Sequence, residues 1–185
     1  MKRGRKDQLT GGSGDVNPQV LTISVAQSAA NTGTAIAINL PIPRYPTAQN
    51  KNLVIEALGV QYFHLNREVT ALPATSVGDC ITLTTRPNAP GTIQEQLSDP
   101  RTISEFYVFN SHVGGASAQD IELQAMAWDD LTDEAGHGIL LATDVLYVAL
   151  QSFNRGLPML AVVKLLYRWK EVGLSEYIGI VQSQQ

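Results

Sequence analysis

Residues 159–172 read MLAVVKLLYRWKEV. Ala161, Val163, Leu165, Tyr167 and Trp169 fall on one side of an extended chain. Lys164, Arg168 and Lys170 fall on the other, with Leu160, Val162 and Leu166. Successive side chains of a strand point to opposite faces, so this split predicts a β-strand with one face in a core.

The same alternation recurs along the chain. In 20–26, Leu21, Ile23 and Val25 oppose Val20, Thr22 and Ser24. In 35–40, Ile36, Ile38 and Leu40 oppose Ala35, Ala37 and Asn39. In 80–85, Ile81 and Leu83 alternate with Cys80, Thr82 and Thr84, and in 121–127 Ile121, Leu123, Ala125 and Ala127 alternate with Glu122, Gln124 and Met126. Runs at 53–65, 103–113 and 139–150 are more continuously apolar and rich in Val, Ile, Tyr and Phe, as strands are. Pro41-Ile42-Pro43, Pro87 to Gly91, Ser98 to Pro100, Gly114-Gly115 and Asn154 to Pro158 punctuate them. Gly, Pro, Asn and Asp at these places mark turns. The reading is about eight antiparallel strands with no long helix and at most one helical turn at 129–136. Connections over 66–79 and 86–102 are long for hairpins. That combination predicts an all-β fold, a single jelly-roll β-sandwich spanning 19–185.

Ahead of it, residues 1–18 hold few apolar groups and four Gly, and read as a short flexible basic N-terminal arm. Lys2, Arg3, Arg5 and Lys6 put four positive charges in the first six residues. Thirteen basic residues less those four leave nine against seventeen acidic ones, a net of −8 over residues 7–185. A basic tip on an acidic body is the pattern of an arm that reaches for a polyanion. Lys and Arg neutralise phosphates without reading sequence, so the arm is expected to contact nucleic acid, and Lys164, Arg168 and Lys170 are a second candidate patch.

Charged residues make up only 16% of the chain, so much of its surface is neutral or covered by other copies. No apolar run approaches a membrane span, and no secretory signal is expected. Cys80 is the single cysteine, which fits a reducing compartment and stability from packing alone. His64, His112 and His137 form no HxH or HExxH pair, so a transition-metal centre is not expected. His64 and His112 are read on strand faces or ends, and His137 in a loop. No nucleophile or phosphate-loop signature occurs, and the chain does not read as an enzyme. The stretch WDDLTDEAGHG brings Asp129, Asp130, Asp133 and Glu134 close in sequence. Such carboxylates are weak candidates for a structural Ca²⁺, against a solvated acidic loop. The tail LSEYIGIVQSQQ stays apolar past the last strand. Tyr177, Ile178, Ile180 and Val181 are expected to pack on their own domain or a neighbouring subunit.

The opening KRGRKDQLTGGSGDVNPQ and the ending YRWKEVGLSEYIGIVQSQQ, about 35 of 185 residues, are similar to capsid proteins of small circular single-stranded DNA viruses. The group meant is the circovirus-like, environmental CRESS-DNA viruses. The resemblance implies a jelly-roll subunit that self-assembles into a small icosahedral shell, T=1 with 60 copies, around a circular ssDNA genome. It implies residence in the virion, assembly in the host nucleus or cytoplasm, and a host surface receptor it does not identify. Only Lys2, Arg3, Arg5 and Lys6 carry over, as the arm that meets the genome. Circoviruses proper have a much longer Arg-rich arm, so here other groups must neutralise most phosphates. The reading from a different class is a non-viral β-barrel or sandwich that binds a small ligand.

Overall fold

The computed structural model describes residues 18–42, 51–65, 77–85, 101–110 and 125–184. Lys2, Arg3, Arg5, Lys6, His112 and the 121–124 half of one expected strand lie outside them. Within them the chain forms β1 (Gln19–Ala26), β2 (Gly33–Asn39), β3 (Lys51–Leu65), β4 (Val77–Thr84), β5 (Thr102–Asn110), β6 (Ala125–Asp130), β7 (Ile139–Leu141), β8 (Val145–Phe153), β9 (Leu160–Gly173) and α1 (Leu174–Ser183).

Two antiparallel sheets result. The first has the order β1-β9-β3-β6, with β7 also on β3, and the second has the order β2-β8-β4-β5. The chain changes sheet between β1 and β2, β2 and β3, and β3 and β4. It changes again between β5 and β6, β7 and β8, and β8 and β9. This wrapped connectivity is the jelly-roll solution, with each sheet's apolar face closed on the other. Ile23, Val25, Ile55, Tyr62, Val163 and Leu165 from the first sheet meet Ile81, Leu83, Leu146, Val148 and Leu150 from the second. The split expected at 159–172 holds from Leu160 to Arg168, and Trp169 is half-buried against the core. Ala161, Val163, Leu165 and Tyr167 are buried, while Leu160, Val162, Lys164, Leu166 and Arg168 are half-buried on the outer face.

Strand β3 carries an irregularity that the rest of the first sheet depends on. Its register with β9 shifts between Ala57 and Gly59, leaving Leu58 as an extra residue. A β-bulge of this kind reverses which parity faces the core. Ile55 and Ala57 point inward before it, Val60 and Tyr62 after it. The edge partner splits at the same place. Strand β7 covers Ile55–Ala57 and β6 covers Gly59–His64. Leu131 N–H donates to the Leu58 carbonyl at 3.1 Å and fills the gap. Close approach at this seam requires glycine twice. A Cβ on Gly138 would stand 2.0 Å from the Ala57 carbonyl oxygen, and one on Gly59 would stand 2.3 Å from the Trp128 ring.

Three expectations are corrected. The run 139–150 is two strands on different sheets. Thr143 Oγ1 donates to the Val145 carbonyl at 2.9 Å and accepts from Val145 N–H at 3.2 Å, turning the chain between them. Residues 129–136 form no helical turn. Strand β6 continues to Asp130, and Asp133 Oδ1 instead accepts from Ala135 and His137 N–H at 2.9 and 2.8 Å, closing a loop. The tail, where no helix is expected, is a helix of 10 residues. β9 passes into α1 directly at Gly173, which sits in extended backbone at φ −69°, ψ 158°.

Candidate functional site

The outer face of the first sheet gathers the three cations of β9 singled out from the sequence, Lys164, Arg168 and Lys170. Register places Thr22, Lys164, Gln61 and Trp128 side by side across β1, β9, β3 and β6. The adjacent row is Ser24, Val162, Phe63 and Met126. Trp128 is 53% and Met126 63% exposed. The Lys164 ammonium sits 4.9 Å from the centroid of the Phe63 ring, a cation–π contact. Gln61 Nε2 donates to Met126 Sδ at 3.3 Å.

Further along the same face, Arg168 and Lys170 converge on one carboxylate. Glu56 is fully buried in the middle of β3. Arg168 Nε donates to its Oε2 at 2.5 Å, and Lys170 Nζ lies 3.6 Å from its Oε1. Gly138 N–H also donates to Oε1, at 3.1 Å, and Arg168 Nη2 reaches the Gly136 carbonyl at 3.3 Å. The 131–138 loop is therefore clamped over Glu56. Of the three cations on this face, Lys164 alone has no anionic partner among the described residues.

Burial raises the pKa of Glu56, but the Arg168 hydrogen bond, the Gly138 N–H and the Lys170 and Arg168 charges outweigh it and hold the carboxyl below its ordinary 4.5. A depressed folded pKa means the clamp stabilises fully above about pH 5 and weakens as pH falls through 4.5 toward the folded value. Glu56→Gln is expected to cost about 2 kcal/mol at pH 7, because it leaves two cations facing a neutral amide. Urea unfolding at pH 7 and pH 3.5 checks this. The gap between wild type and variant should narrow at the lower pH, and a pH-independent gap would refute the ion-pair account.

The four acidic candidates do not converge. Asp129 turns inward, where its Oδ2 accepts from Ser104 Oγ at 2.5 Å, and Ser104 Oγ accepts from the Tyr62 hydroxyl at 2.6 Å. That relay joins the two sheets, and burial, with the Asp129 charge behind it, pushes the Tyr62 phenol pKa well up against the lowering effect of the Ser104 hydrogen bond. Asp130 points to the outer face and accepts from Thr132 N–H and Oγ1 at 3.0 and 2.7 Å. Asp133 closes its own loop and approaches His137 at 3.4 Å. Among the described residues no three His, Cys, Asp or Glu side chains are placed to hold a metal ion.

One end of the sandwich holds a buried polar cluster that sequence reading missed. His64 at the end of β3, Asp79 on β4 and Arg155 after β8 are 0%, 1% and 3% exposed. Arg155 pairs with both Asp79 oxygens, through Nη2 to Oδ2 and through Nε to Oδ1 at 3.3 Å. His64 Nε2 lies 2.8 Å from Oδ2 but off the N–H direction, so it is a close polar contact without hydrogen-bond alignment. Asn31, with φ 59°, bonds both backbone groups of Arg155: its Oδ1 accepts from N–H at 2.6 Å and its Nδ2 donates to the carbonyl at 2.8 Å. Gln27 Oε1 accepts from Ser152 Oγ at 2.9 Å and Met159 N–H at 3.0 Å. The β1–β2 and β8–β9 connections are thereby tied together. Cys80 is fully buried beside this cluster, and burial, Glu105 and Asp79 push its thiol up to about 12.

Helix α1 buries no residue. Tyr177, Ile180 and Val181 are half-buried, and Gln184 fixes the end: its Nε2 donates to the Leu140 carbonyl at 2.5 Å and its Oε1 accepts from Ala142 N–H at 3.1 Å. Leu174 and Ile178 are 49% and 47% exposed.

No protein-family model matches the chain, and no curated protein matches it. Solved structures do. VP1 of Merkel cell polyomavirus in complex with disialyllactose aligns with TM-score 0.54 at 9% identity, over 88% of this chain and 98% of that one. VP1 of Trichodysplasia spinulosa-associated polyomavirus in complex with GM1 oligosaccharide aligns at 0.51 and 13% identity, over 88% and 96%. VP1 of human polyomavirus 12 with 3'-sialyllactosamine aligns at 0.50 and 13%, over 84% and 100%. At such identities the likeness establishes the fold alone, a jelly roll.

Proposed function

We propose that this chain is the structural subunit of a viral capsid, without catalytic function. The observation that carries the reading is a VP1-type jelly roll occupying 88% of this chain and 98% of its polyomavirus neighbour. Low charge and a half-exposed apolar helix support self-association. Merkel cell polyomavirus VP1 has been solved as an unassembled pentamer, which makes a small ring a sensible building unit here. The finer reading is a 60-copy T=1 shell around circular ssDNA, with Lys2, Arg3, Arg5 and Lys6 on the genome and α1 between subunits. It rests on the terminal resemblance and the charge asymmetry.

Sedimentation and negative-stain microscopy of the purified protein, with the 260/280 absorbance ratio, test both levels. Sixty copies of 20.0 kDa give a particle of about 1,200 kDa before any genome. Uniform shells of that mass support the full reading. A stable pentamer keeps the capsid subunit and removes the 60-copy shell. A monomer or dimer across salt and pH overturns the proposal in favour of a ligand-binding β-sandwich.

A further inference from the structure

We propose that the outer face of the β1-β9-β3-β6 sheet, centred on Trp128, is a stacking platform for single-stranded nucleic acid. Trp128 meets a base there, Phe63 seats the Lys164 ammonium, and Lys164 meets the adjoining phosphate. The platform deepens the capsid reading and rests on it for the identity of the strand, the enclosed genome.

Trp128 sits on an edge strand with its ring over Gly59, where any side chain would collide with it. The sheet is thus built to lay an indole on its surface and leave it 53% exposed. A residue needed only for packing would gain more by facing inward, where each aromatic buries its full area. Phe63 lies diagonally from Trp128, since it pairs with Met126 while Gln61 pairs with Trp128. Diagonal neighbours on one sheet face stand about 7–8 Å apart at Cα, so Phe63 holds the Lys164 ammonium within one nucleotide of a base on Trp128. Met126, 63% exposed, extends the apolar floor.

The charge on this platform selects the occupant. Lys164 stands in the Trp128–Gln61 row, directly over Phe63. Arg168 and Lys170 are held on Glu56, so Lys164 is the cation left for an incoming phosphate. Asp130, beside Gly59, bounds the platform and keeps phosphate on the Lys164 side. A second protein copy fits this centre less well, because lysine is depleted from the middle of protein interfaces. Bases stacked on aromatics with a cation beside them are the recurring chemistry of single-strand binding, independent of sequence.

The test uses full-length protein with Lys2, Arg3, Arg5 and Lys6 changed to Ser, so that the arm does not dominate. Binding of a 20-nucleotide oligothymidylate is read by anisotropy and by tryptophan quenching. Trp128→Ala is expected to weaken binding roughly tenfold and remove most quenching, because one base loses its stacking partner. Trp128→Phe should retain most affinity, and Lys164→Gln should reduce the salt slope by about 0.7. Equal affinity in Trp128→Ala overturns the platform; if its particles still form, the capsid reading stands. Lost particles with unchanged oligonucleotide affinity also overturn it and make this face a contact between copies. Binding through Trp128 in a chain that never assembles keeps the platform and removes the capsid.

Discussion

Asp79→Ala is expected to cost about 3–5 kcal/mol, the range seen when one partner of a buried ion pair is removed. Domains of this size have roughly 5–15 kcal/mol in total, so the variant should be close to unfolded at physiological temperature. The size follows from where the pair sits. Asp79, Arg155 and His64 are all essentially inaccessible to water. Without the carboxylate, the Arg155 guanidinium and the His64 ring lose the anion that faces both. Asn31 holds the Arg155 backbone from both sides, so the segment that carries the guanidinium stays in place. The double variant Asp79→Leu/Arg155→Leu should recover much of the loss, since apolar replacement of a whole buried pair is often neutral. Urea unfolding of both single variants and the double gives the coupling directly. A single-variant cost below about 1 kcal/mol, within the range of an exposed pair, would show that this end is solvated.

That cluster also marks the limit of what the sequence reveals. Strands β1, β2 and β9 were legible because each alternates between a more and a less covered face, and β4 because its sequence alternates although both its faces are buried. Strand β3 was legible as a strand but not in its parity, since the bulge residue Leu58 stands inside an unbroken apolar run. A lone Glu56 within that run was a usable signal: a carboxylate among buried positions needs cations, and Arg168 and Lys170 were already on one strand face. Asp79, His64 and Arg155 offered no such signal. They come from three elements and meet only because the two sheets close on each other. Trp128 was absorbed into the acidic stretch it begins, although Met126, Trp128 and Asp130 continue one outward-facing parity. Helix α1 was hidden by its β-branched content. Leu174, Tyr177, Ile178 and Val181 nevertheless repeat at helical spacing.

Removal of residues 174–185 is expected to leave a folded domain that no longer forms particles. The two effects separate because α1 contributes little to its own subunit. It buries no residue, and its fixed point is the pair of Gln184 hydrogen bonds to β7 and the residue after it. Two such bonds are worth roughly 1–3 kcal/mol, so the melting temperature should fall by only several degrees. Assembly responds more steeply. Leu174 and Ile178 leave about half of their surface in water on the isolated chain, and a shell repeats any contact they make in every subunit. Covering one such side chain contributes on the order of 1 kcal/mol per contact. Leu174→Asp/Ile178→Asp is the finer test, because it leaves Gln184 and the half-buried residues in place while placing two charges on the exposed stripe. Particle yield should drop at least tenfold with an unchanged melting curve. Particles of normal yield from either variant would remove α1 from the subunit interface. A collapse of the melting curve in the truncation alone would instead make the helix a brace for β7.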